Sequence, residues 1–158
     1  MSGLLRYLLL GAVTGGRSMT GPAVVALTGP GPAGTRARRL VVLAAGAEIV
    51  VDKLPGVPSR TAPPALAVRL VLAGVCAAAL ARRGGTGAVV PVLTAASGAL
   101  AGSFAGARWR AWAGGRAMPA LAAALLEDLA VIGTAAVVSR HTFGYGPRRV
   151  ESPRPGGR

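Results

Sequence analysis

Only five acidic residues occur in 158, and four of them, Glu48, Asp52, Glu127 and Asp128, fall inside apolar runs; Glu151 alone sits in a polar stretch. Acids that serve solubility sit in loops, so this placement points to chemistry or to ion pairing. Glu48 and Asp52 are one helical turn apart and share a face. Glu127 and Asp128 are adjacent, about 100° apart on a helix, so one faces a given seam and the other a neighbouring helix. Glu127 is assigned to the site. A cation is available in Gly15-Gly-Arg-Ser-Met-Thr-Gly-Pro22, where Arg17 lies with the hydroxyls of Ser18 and Thr20 at the middle of an apolar run. Arg17 is expected opposite Glu48 or Asp52. Ionisable side chains at membrane depth mark solute, ion or proton sites. Four acids against Arg17 and Lys53 leave a formal surplus of two negatives, which favours a proton or cation over an anion. The competing reading is a dry ion-pair network that fixes helix register, because buried polar groups must be satisfied whatever the function.

The elements that position these residues follow from composition. The chain is 52% hydrophobic and 15% charged, with mean hydropathy +0.53, whereas a soluble domain carries about 25% charged residues. Disorder of the whole chain is excluded by the hydrophobicity. Aromatics at 4% argue against a base-stacking nucleic-acid binder. The net charge of +13 comes from 17 arginines and Lys53 against the five acids. The arginines cluster beside the apolar runs, as loops do at the cytoplasmic leaflet. The expected fold is therefore an all-α polytopic membrane bundle in a cell membrane, with the lipid bilayer as its first partner. Its bias to Arg, Gly, Ala and Val is that of a GC-rich bacterial genome.

Five apolar segments are expected, at about residues 4–27, 40–54, 65–81, 86–107 and 118–139. A span needs about 20 residues, so the second and third must borrow flanking residues while Arg38, Arg39, Arg82 and Arg83 snorkel. Two acids cost the second segment about 5–7 kcal/mol on insertion, against about 2.4–4.8 kcal/mol returned by eight large aliphatics. It needs a partner or a wet cavity. The first segment is expected to break, since Gly15, Gly16 and Gly21 loosen the helix and Pro22 removes a donor. It lacks a small-x-small cleavage site and is retained in the mature protein. With the N-terminus outside, ten basic residues fall inside and seven outside, so the N-out, C-in orientation is expected. Residues 1–142 form the membrane domain, and 143–158, rich in Pro, Gly and Arg, a disordered basic tail.

Gly11-Ala-Val-Thr-Gly15 in the first segment is echoed by Gly98-Ala-Leu-Ala-Gly102 and Gly106 in the fourth. Each precedes a segment with paired acids, which suggests two inverted helix-pair repeats, a pattern found in transporters. The glycines by themselves read as helix-packing surfaces. Arg60, in the proline-rich connector Asp52-Lys-Leu-Pro-Gly-Val-Pro-Ser-Arg-Thr-Ala-Pro-Pro64, reads as an interfacial anchor. Cys76 is the lone cysteine and His141 the lone histidine, so neither a disulfide nor a His-based metal site is expected, and no cofactor motif or nucleophile elbow occurs. A small transporter or channel-like protein for a proton, cation or small polar solute is the leading expectation. A dimer is natural, because five short helices enclose little volume. A structural membrane protein is the alternative, and an enzyme acting on lipid-linked substrates by acid/base chemistry comes third.

Three pieces carry a family resemblance: GAVTGGRSMTGPA, AEIVVDKLPGVPSRT, and the Glu127-Asp128 pair in the last apolar helix. With them the chain resembles the domain-of-unknown-function 4126 family up to about Ser139. The resemblance implies a small, multi-helix integral membrane protein of bacterial type. It implies no activity.

Overall fold

The computed structural model describes residues 3–29, 35–51 and 61–143. All secondary structure among them is helical: α1 (Gly3–Gly16), α2 (Thr20–Leu27), α3 (Thr35–Val51), α4 (Pro63–Arg83), α5 (Val89–Gly114) and α6 (Ala120–Phe143). Asp52, Lys53, Arg60 and the tail 144–158 lie outside the described residues. Three helices, Pro63–Arg83, Val89–Gly114 and Ala120–His141, are long and apolar enough to cross a membrane, and α1 is a shorter apolar helix. At 1.5 Å per residue α4, α5 and α6 are each about 30–40 Å long.

The first apolar segment is two helices, with Arg17, Ser18 and Met19 between them. Pro22 stands in the first turn of α2, where a missing N–H costs nothing, so it starts a new helix rather than kinking an old one. That helix runs back along α1. Gly21 lies directly against Thr14, and a Cβ at Gly21 would overlap the Thr14 hydroxyl. In a continuous helix, residues seven apart are separated by about 10 Å of rise. The contact requires a reversal centred on residues 17–18, so α1 and α2 form a helical hairpin.

Three contacts fix where the hairpin opens. Arg83 Nη1, at the end of α4, donates to Val25 O at 2.8 Å, and Arg38 Nη2, near the start of α3, donates to Leu27 O at 3.0 Å. The Arg6 side chain lies beside Gly84. The start of α1, the end of α2, the start of α3 and the end of α4 therefore meet at one end of the bundle, here the Arg83 end. The hairpin tip lies deeper, beside Arg69, which is 14 residues or about 21 Å down α4 from Arg83. The two ends of the first apolar segment therefore lie at the same end of the bundle.

The two glycine motifs do pack helices, and they pack each other. A Cβ at Gly11 or Gly15 would overlap the carbonyl oxygen of Ala95 or Ala99; one at Gly98 or Gly102 would overlap that of Leu8 or Ala12. Without side chains at these positions the two backbones touch. Both sets of contacts advance in the same direction, so α1 and α5 run parallel. The inverted-repeat reading requires these two helices to be antiparallel, and the contacts overturn it. Gly16 approaches α6, where a Cβ would stand 2.8 Å from Val131. The buried core, with Tyr7, Leu10, Val13, Val24, Cys76, Leu80 and Val138, lies between the hairpin and α4–α6.

Candidate functional site

The reversal of the chain brings the C-terminus of α1 and the N-terminus of α2 to one point inside the bundle. Helix ends carry partial charges, negative at a C-terminus and positive at an N-terminus, from backbone groups that have no partner in the helix. The N-terminus of α2 receives a side chain of the complementary sign. Arg17 follows the last residue of α1. Glu48, from α3, accepts hydrogen bonds from Ser18 N–H at 2.7 Å and Met19 N–H at 2.8 Å, one on each carboxylate oxygen. Met19, the N-cap residue of α2, forms no side-chain cap of its own, so a carboxylate from another helix takes that role.

Arg17 is 2% exposed. It reaches α6, where its Nε donates to Asp128 Oδ1 at 2.9 Å and its Nη2 donates to the same oxygen. The adjacent Glu127 is turned toward α5, and Arg110 Nε donates to its Oε2 at 2.9 Å. The 100° separation of the two acids thus sorts them. Asp128 meets the hairpin tip through the Arg17 ion pair; of the partners expected for Arg17 on α3, Glu48 accepts from the Ser18 and Met19 amides, and Asp52 lies outside the described residues. Ser18 Oγ accepts from Nε of Arg69 at 3.3 Å, and Arg69 is also buried. Thr20 opens α2 without a described role at the tip. Ser103 Oγ donates to Gly15 O at 3.1 Å, and Thr14 Oγ1 to Leu10 O at 2.7 Å.

Among the described residues the cluster therefore holds Glu48, Glu127 and Asp128 against Arg17, Arg69 and Arg110, three charges of each sign. Arg69 and Arg110 are cations of the cluster that the balance of four acids against Arg17 and Lys53 did not include, while Asp52 and Lys53 of that balance lie outside the described residues. Arg69 carried a signal, since it stands six residues inside an apolar helix. Arg110 carried none, because its pairing depends on how α5 and α6 splay.

No family model matches the chain, and no curated protein or solved structure matches it either. The site must be argued from its own geometry. Among the described residues no group of three or more His, Cys, Asp or Glu side chains is placed to hold a metal. Two cavities flank the cluster. An open groove of about 480 Å³ lies between α1, α5 and α6, with Glu127 on its wall, and a second space of about 330 Å³ lies between the end of α5 and the start of α6, with Arg110 on its wall.

Proposed function

We propose that the chain is a small integral membrane protein of transporter or channel type, in which the α1–α2 hairpin is re-entrant and its tip is the polar site. The observation that carries the reading is the tip itself: unwound backbone, well inside the bundle, whose amides are held by Glu48 from a different helix. Non-helical backbone at membrane depth is tolerated where it is buried in protein or lines a cavity, and broken helices whose ends meet polar groups are how transporters build binding sites. The three long apolar helices suggest a membrane protein. Large apolar side chains exposed along them, Val71, Val75, Leu93, Leu125 and Leu129 among others, are what a bilayer covers. The resemblance to the domain-of-unknown-function 4126 family belongs to this proposal and adds no activity to it.

The same helix directions support an orientation. Among the described residues Arg6, Arg36, Arg38, Arg39, Arg82, Arg83 and Arg140 lie toward the Arg83 end, against Arg69, Arg108, Arg110 and Arg116 toward the other. By the positive-inside rule the Arg83 end is cytoplasmic, which places the start of α1 and the end of α6 on the same, inner side.

A structural role has its own support, because each acid in the cluster has a hydrogen-bonded partner. Single cysteines at Ser18 and Glu48, in a Cys76→Ser background, separate the two readings. Labelling by a small water-soluble thiol reagent in intact membranes, together with loss of proton or solute flux in Glu48→Gln proteoliposomes, is the transporter outcome. Folded protein without labelling, and with unchanged flux, is the structural one.

A further inference from the structure

The groove beside Glu127 and the space beside Arg110 follow one another along the wedge-shaped seam between α5 and α6. The helices diverge from the loop at residues 115–119; α1 forms the floor of the groove through Leu9, Ala12, Val13 and Gly16, and Gly102 and Gly106 line its α5 wall. Along the wedge the chemistry changes once. The 480 Å³ groove is apolar, with exposed Ala105, Leu126 and Ala130 at its edges. Beyond Trp109, which lines the groove, lies the second space, whose wall carries Arg110. Between the two lie the Arg110–Glu127 pair and the hydrogen bond from Trp109 Nε1 to Ala123 O at 2.9 Å. The Arg110 side chain is 38% exposed, and only its Nε is engaged; its two Nη groups donate to no described residue.

The depth of Arg110 is marked by its neighbours. Trp109 and Trp112 stack with centroids 5.2 Å apart, and the Arg116 guanidinium lies 4.1 Å from the Trp112 ring centroid. Tryptophan and arginine together are the composition of a bilayer interface. We propose that the wedge binds one anionic phospholipid, with an acyl chain in the apolar groove and the headgroup phosphate on the Nη groups of Arg110. A site of this size falls in the range of ordinary small-molecule pockets, and an arginine fork suits a phosphate. The order of the two halves, apolar toward the centre of the membrane and cationic at its edge, is the order of such a lipid. A helix from a second copy would need an apolar wall along the full length. The wedge adjoins the hairpin tip through Gly16 and shares the Arg110–Glu127 pair with the charged cluster, but lipid binding there does not require transport.

Trp109 and Trp112 are the two tryptophans of the chain, so a Trp112→Phe variant leaves Trp109 as a reporter in the wedge. The full-length protein is reconstituted in phosphatidylcholine vesicles, and phosphatidylglycerol or further phosphatidylcholine with brominated acyl chains is titrated in. Half-maximal quenching of Trp109 is expected at a mole fraction about fivefold lower for the anionic lipid, the ratio for one arginine meeting one anionic headgroup. Arg110→Gln should remove that preference and Arg110→Lys should retain part of it. Ala130→Phe fills the groove from an exposed position with Arg110 intact, and should also remove it. Excess glycerol phosphate distinguishes headgroup from whole lipid: it should not relieve the quenching, because the chain supplies much of the binding. Equal quenching by the two lipids in the parent overturns the proposal, as does a preference that survives both Arg110→Gln and Ala130→Phe, or one abolished by glycerol phosphate alone.

Discussion

Asp128 and Glu127 are neighbours in sequence with unequal burdens. The partner of Asp128 is an arginine sealed inside the bundle, whereas the partner of Glu127 is an arginine with more than a third of its side chain exposed. Removing one member of a buried pair strands the other and costs about 3–5 kcal/mol; a pair screened by water or headgroups is worth about 1 kcal/mol or less. Asp128→Asn is therefore expected to lower the thermal unfolding midpoint in detergent well below that of Glu127→Gln. A reversed ranking would show that the Arg17 pair does not hold the tip. Glu48 makes a different demand, because it accepts from two backbone amides. Glu48→Gln keeps one acceptor oxygen and turns an NH₂ toward the other amide, whereas Glu48→Ala frees both. At about 1–3 kcal/mol for each buried group left unsatisfied, the alanine variant should be the less stable of the two, and thermal unfolding of both measures it.

At the scale of elements, the α1–α5 contact is the part of the fold most directly written in the residues. Four glycines at four-residue spacing on two helices give backbone contact, and the chain meets that expectation. A methyl at Gly98 would enter the carbonyl of Leu8, so Gly98→Ala should destabilise by about 1–3 kcal/mol or more as the helices are forced apart. Gly133 in α6 has nothing within 4 Å of its Cβ position. Gly133→Ala should then be neutral or stabilising by up to about 1 kcal/mol, since alanine is the better helix former. Equal losses in both, read by thermal unfolding, would mean that helix propensity and not close approach sets the outcome. The break at Arg17–Met19 was legible for a similar reason, because glycine and proline act locally. The direction of α2 after the break was not. It is set by Thr14 against Gly21 and by Arg83 on Val25, contacts between residues 7 and 58 apart. Likewise the presence of buried acids was plain from Glu48, Glu127 and Asp128 in apolar runs, but their partners were not, since register between helices leaves no periodicity in the sequence.

At the scale of the whole molecule, the hairpin decides which ends of the helices share a side. A first segment that crossed the membrane would put residues near its start and its end on opposite faces. A re-entrant hairpin puts them on one, together with the loop between α4 and α5. Single cysteines at Leu4, Gly29, Thr86 and Gly115, placed in a Cys76→Ser background, turn this into a measurement. Leu4, Gly29 and Thr86 belong to the Arg83 end and Gly115 to the Arg110 end. With a membrane-impermeant maleimide on intact cells, Gly115 alone should label, and the other three should label only after permeabilisation, in keeping with the arginine-rich end being inside. If Leu4 and Gly29 react from opposite sides, the hairpin is not re-entrant, and the tip cluster loses the geometry that makes it a site. If all four sides invert together, the hairpin stands and only the orientation drawn from the arginines fails. The distinction matters for mechanism, because a re-entrant tip reaches the interior from one side only. Any solute held by Ser18, Met19 and Glu48 would then meet the hairpin from the Arg83 end and the α5–α6 wedge from the other, with the Arg17–Asp128 pair between them.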